Sequence, residues 1–127
     1  MHIHCCKIKI LYKMKYTFKK DMWGDTILHS IQSEESTINH FGSWNWTPQK
    51  IQSLIDGVEQ SKNKDSDESF DWQNEDVFFR SNKYGVFFVD LMKQRAGEKS
   101  KKQDLDLNHD EFIKFLQDFK KFVEENS

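Results

Sequence analysis

The dipeptide Thr47-Pro48 constrains this chain more than any other two residues. A threonine side chain accepts a hydrogen bond from an orphan amide at a helix start, and a proline at the first helical position has no N–H to leave unsatisfied. Ile51, Leu54, Ile55 and Val58 then recur at i, i+3, i+4 and i+7, which puts one apolar stripe on a helix that should end near Ser61. A second helix is predicted after Asn108. That residue can cap, and Glu111 three positions on completes a capping-box pair. Phe112, Phe115, Leu116, Phe119 and Val123 form its buried face, widened by Ile113 and Phe122.

Elsewhere the apolar period is two. Tyr16 and Phe18 alternate, then Ile27, His29 and Ile31, then Trp44 and Trp46, each group bounded by turn-forming residues. Glu75–Ser81 and Gly85–Met92 flank Asn82-Lys83-Tyr84, so Val77-Phe78-Phe79 and Val86-Phe87-Phe88-Val89 are expected to pair as a hairpin at the sheet centre. Lys62–Ser69 reads as a polar loop and Lys93–Gln103 as a solvated basic loop. Leu105 and Leu107 suggest a short last strand. With 127 residues the chain has room for one core, and eleven Phe, four Trp and three Tyr make that core aromatic. The expected fold is α+β: a single domain, mainly antiparallel sheet, with the middle helix and the C-terminal helix packed on it. It should span residues 14–127. Met14 opens a plausible natural start, Met-Lys-Tyr-Thr-Phe-Lys-Lys, which leaves residues 1–13 as a non-native or disordered leader.

The net charge of −2 conceals a division. Residues 1–20 hold six Lys and no acid, whereas residues 21–127 hold thirteen basic and twenty-one acidic side chains, a net of −8. Lysines at 7, 9, 13 and 15 interrupt any signal-peptide apolar core, and no apolar run is long enough to cross a bilayer. The only two cysteines, Cys5 and Cys6, are adjacent and do not make a disulfide framework, so a reducing cytoplasm is expected.

Few residues recommend chemistry. His2, His4, Cys5 and Cys6 cluster without the second pair that a zinc site needs. Asp104, Asp106, Asn108 and Asp110 imitate the opening of a calcium loop, yet His109 stands where the turn needs Gly and Phe115 where a bidentate Glu is needed. There is no Gly-rich phosphate loop. No catalytic residue, metal or cofactor is therefore expected. A ribonuclease built on His29, His40 and a lysine is the alternative enzyme reading. A small nucleic-acid binder using the Lys93–Lys102 loop, with Trp44 and Trp46 stacking bases, is another. The acidic body opposes both, because it would repel phosphates. Trp44 and Trp46 suit core packing as well as contact.

The densest feature is Asp65–Asp76. It holds six acids, Asp65, Asp67, Glu68, Asp71, Glu75 and Asp76, no base, and the aromatics Phe70 and Trp72. A solvated loop leading to an edge strand is the plain reading. Alternation of Phe70 and Trp72 with Asp71 nevertheless predicts a strand with rings on one face and carboxylates on the other, a surface that imitates phosphate charge and steers association with a basic partner. Trp72 is the candidate anchor of such a contact.

The opening Met14-Lys-Tyr-Thr-Phe-Lys-Lys-Asp, the Phe70–Asp90 stretch and the terminal Leu107-Asn-His-Asp-Glu-Phe-Ile-Lys-Phe-Leu give the chain its one likeness to a known group. It resembles the small immunity proteins of contact-dependent growth inhibition and related polymorphic toxin systems. The resemblance implies a cytoplasmic protein, not an enzyme, that binds one cognate toxin domain, commonly a nuclease, and covers its active site or substrate surface. It implies no direct nucleic-acid or membrane partner.

Overall fold

The structure is a computed structural model that describes residues 14–42, 45–97 and 104–126. The chain begins with a hairpin of β1 (Tyr16–Trp23) and β2 (Thr26–Ser33). Gly24, at φ 63°, takes the first position of the two-residue turn, where the left-handed region matches the twist of the strands. Helix α1 (Ser36–Phe41) follows, then α2 (Pro48–Ser61), a 3₁₀ turn over Ser66–Glu68, and β3 (Phe70–Gln73). Strands β4 (Val77–Asn82) and β5 (Gly85–Asp90) form the central hairpin, and α3 (Leu91–Arg95), β6 (Leu105–Leu107) and α4 (His109–Glu125) complete the described chain. All strand pairs are antiparallel, which makes this a small single-domain α+β fold.

The sheet is in two pieces. β1 and β2 stand as a ribbon, while β3-β4-β5-β6 form a four-stranded sheet with β3 on its edge. Helix α4 joins them through its aromatic face. Phe112 meets Phe79 and Phe88 of the larger sheet edge-on, with centroids 5.0 and 5.1 Å apart, and Phe119 stacks on Phe18 of the ribbon at 5.3 Å. Phe112, Phe115, Leu116 and Phe119 have no exposed surface. Burial of each such ring contributes about 2–3 kcal/mol. The apolar face of one long amphipathic helix thus serves as the floor of both sheets.

The helix starts follow the sequence. The Thr47 hydroxyl accepts the Lys50 amide, Pro48 sits in the first turn, and Asn108 and Glu111 form a reciprocal capping box. Three expectations fail. Trp46 is in no strand: it precedes α2 in irregular backbone, is buried, and donates its indole N–H to the Phe41 carbonyl at 3.1 Å. The cause is the unforeseen α1, which places Phe41 to stack on the Trp46 ring at 4.9 Å. Trp46 is therefore core, and Trp44 lies outside the described residues. The strand expected to run to Met92 stops at Asp90, whose carboxylate caps α3 by accepting the Lys93 amide. This turns the start of the expected basic loop into helix, and residues 98–103 lie outside the described part. The His2, His4, Cys5 and Cys6 group, at which no zinc site was expected, also lies outside it.

Candidate partner-binding face

Strand β3 owes its position to the two rings the sequence places two residues apart. Phe70 lies so close over α2 that a Cβ at Gly57 would come within 2.4 Å of its ring, so the bare glycine is what lets strand and helix meet. Trp72 stacks against Trp46 at 5.2 Å and Phe79 at 5.8 Å and lies 5.2 Å from Phe41. It is half-buried. Its ring ties the edge strand to the core, a task different from that of a free anchor reaching toward a partner. Asp71 and Gln73 point the other way and are exposed, the alternation the sequence predicts.

The six acids divide into two groups. Asp71 receives two parallel hydrogen bonds from Arg80 across the strand pair, both 2.9 Å. Asp76 accepts from Arg95 at 3.1 Å, and Arg95 also donates to the Glu75 carbonyl at 2.6 Å. Asp65 pairs with Lys83 at 2.8 Å, an ion-paired hydrogen bond that lowers the Asp65 pKa and raises that of Lys83. The remaining carboxylates, Asp67, Glu68 and Glu75, are exposed and form no ion pair among the described residues. Half of the charge is thus neutralised locally and half faces outward. Asp65, Asp67 and Glu68 lie within 4.8 Å of one another as carboxylate oxygens, all exposed.

The counter-charges Arg80, Lys83 and Arg95 were missed by sequence reasoning. A signal was available: once Phe70 and Ser81 are aligned, Asp71 falls opposite Arg80. The β3–β4 turn is held by Asn74, whose Oδ1 accepts the amides of Asp76 and Val77, both at 2.8 Å. This fixes Glu75 at the tip of the turn.

The residues considered for other chemistries are dispersed. His29 meets the Asn126 carbonyl through Nε2 at 3.0 Å, at the far end of α4. His40 meets the fully buried Asp90 carboxylate through Nδ1 at 3.0 Å. The two histidines serve different junctions, and among the described residues no hydrogen bond joins either to a hydroxyl or a lysine. The calcium-like residues are equally divided: Asp104 accepts the Asp90 amide, Asn108 caps α4, and Asp110 pairs with Lys62. Among the described residues no helix is long and apolar enough to cross a membrane.

No protein-family model, curated protein or solved structure matches this chain.

Proposed function

We propose that the chain is a binding protein that presents the outer face of β3 and its flanking turns to a basic surface on another protein. The partner that fits the resemblance is the toxic domain of a polymorphic toxin, a nuclease whose substrate cleft must carry positive charge to hold a phosphate backbone. On this reading the chain acts in the cytoplasm as an immunity protein and works by covering the cleft, with no catalytic step of its own.

The observation that supports this reading is the division of charge on a rigid edge. Phe70, Trp72 and Asn74 hold the backbone, Arg80, Lys83 and Arg95 fasten three carboxylates, and Asp67, Glu68 and Glu75 are left to face outward. Outward carboxylates carried on a held backbone accelerate encounter with an opposite surface. Asp71 and Asp76 add complementarity, each carboxylate then accepting from its own arginine and from a cation of the partner.

The reading expects a toxic domain to be encoded beside this chain's gene, and the test uses that domain. Co-expression of the chain should restore growth to cells producing that domain, and a variant with Asp67, Glu68 and Glu75 all changed to Lys should fail to protect while remaining folded. Full protection by the triple variant would reject this face as the interface. RNA cleavage by the purified chain alone would reject the reading altogether in favour of an enzyme.

A further inference from the structure

The β1–β2 ribbon extends past the helix that supports it. Tyr16 and Phe18 pack on Phe115, Phe119 and Phe122, and His29 reaches Asn126, close to the end of α4. Beyond that level every residue from Lys19 to Thr26 is exposed. Met22 is 59% exposed and Trp23 78%, the most exposed large apolar side chain described. A two-stranded ribbon with apolar groups in water is marginal unless its surface is covered.

The register shows which backbone groups are open. In a hairpin closed by a two-residue turn, the pair flanking the turn exchanges hydrogen bonds and every second pair does the same. Here those are Trp23–Thr26, Asp21–Leu28, Lys19–Ser30 and Thr17–Gln32. The N–H and C=O groups of the alternate residues point outward. On β2 they are partly occupied: Asn39 bonds both the amide and the carbonyl of Ser33, and a Cβ on Gly42 would lie 3.3 Å from the Ile31 nitrogen. On β1 they belong to Tyr16, Phe18, Lys20 and Met22, and no backbone bond from another described residue reaches them.

We propose that this edge pairs with the same edge of a second copy, antiparallel about Lys20, to give a two-fold dimer with a continuous β2-β1-β1-β2 sheet. The sequence of β1 is self-complementary in this register. Lys20 faces Lys20 of the partner as a mutually hydrogen-bonded pair, which the outward direction of its backbone groups permits. Lys19 falls opposite the partner's Asp21 and Asp21 opposite its Lys19, two opposite-charge pairs generated by the symmetry. Phe18 falls opposite the partner's Met22, twice, which places the exposed methionine over the aromatic cluster on α4. Trp23 lies across from Thr17. Shifting the centre by one residue to Lys19 puts Lys19 against itself and removes both charge pairs, so the Lys20 register is preferred. The lone like-charge pair at the centre lies on the opposite face of the strand from the Lys19–Asp21 pairs. The occupant is thus a copy of this chain, and the proposal does not depend on what the acidic face binds.

Sedimentation velocity on the full reduced chain across the micromolar range tests the proposal. A dimer that grows with concentration is expected. Lys19→Asp sets acid against acid at two symmetric positions and should weaken dimerisation by about tenfold, while Lys19→Asp combined with Asp21→Lys should restore it. In a Cys5→Ser, Cys6→Ser background, Lys20→Cys should cross-link to itself with a short bifunctional maleimide, since the Cα atoms of a hydrogen-bonded pair lie about 5.5 Å apart. Circular dichroism checks that each variant is folded. A monomer at every concentration would overturn the proposal, as would a dimer indifferent to Lys19→Asp or one that Lys20→Cys fails to link. A dimer seen only when residues 1–13 are removed would also overturn it, because those residues would then be what occupies the edge.

Discussion

Two of the outer strands, β3 and β1, are built on opposite plans. β3 is four residues long, with Phe70 and Trp72 fastened to α2 and to the aromatic core, and its outward side is charged. β1 is eight residues long, loses its support after Phe18, and turns apolar again at the tip. A short, charged, firmly backed edge resists indiscriminate pairing and suits a specific electrostatic contact. A long edge carrying Met22 and Trp23 is a liability unless something pairs with it. The comparison separates two tasks within one domain: β3 holds charges in place, and β1 offers backbone and apolar surface.

The largest effect should come from the helix that both regions share. Phe119→Ala removes a ring packed against Phe18, Trp46 and Phe115, and Phe115→Ala removes one packed against Tyr16 and Phe41. Each should cost about 3–5 kcal/mol in urea unfolding. Unchanged stability in both would break the picture of α4 as a common floor.

A direct contrast comes next. Trp72→Ala should cost about 2 kcal/mol, because half of its ring is inside an aromatic stack, whereas Trp23→Ala in the monomer should lie within about 0.5 kcal/mol of wild type. Equal losses would mean that the tip of the β1–β2 ribbon is as well supported as the β3 edge. Asn108→Ala removes the acceptor for the Glu111 amide at 2.8 Å and should cost about 1 kcal/mol.

An effect as modest as that of the Asn108 cap is expected at the base of the β1–β2 ribbon. Burial, and then the 2.6 Å hydrogen bond to Asp118, raise the Tyr16 phenol pKa above its usual value. Its contribution to stability is therefore fully present below the unfolded phenol pKa, near pH 10, and is lost as pH rises through the alkaline range toward the folded value. Tyr16→Phe should flatten that alkaline limb and change stability at neutral pH by about 1 kcal/mol. An unchanged alkaline limb would show that the ribbon is not tied to α4 at this point.

What was legible in the sequence was whatever depends on neighbours along the chain. The caps at Thr47 and Asn108, the apolar stripes they begin, the β4–β5 hairpin and the alternation in β3 are set by residues a few positions apart. Helix α1 was not, because its six residues carry only Ile38 and Phe41 as large apolar groups and no side chain caps it. It exists because both are fully buried under tertiary contacts. Helix α3 was hidden because Leu91 and Met92 prolong the apolar run of β5, and only Asp90 marks the change. At the candidate face the acids were visible, but their division was not. Arg80 and Arg95 come to Asp71 and Asp76 from β4 and α3, nine and nineteen residues away, so the three outward carboxylates could be singled out only once strand register was known.

The central claim is that these three carboxylates set the rate of capture of a basic partner. The decisive measurement is stopped-flow association with the toxic domain that the proposed function expects as partner, repeated over a range of salt concentrations. Wild type should associate fast and with a steep salt dependence. For the Asp67→Lys, Glu68→Lys, Glu75→Lys variant the rate should be at least about tenfold slower and nearly insensitive to salt. A variant that associates at the wild-type rate with the wild-type salt dependence would contradict the claim.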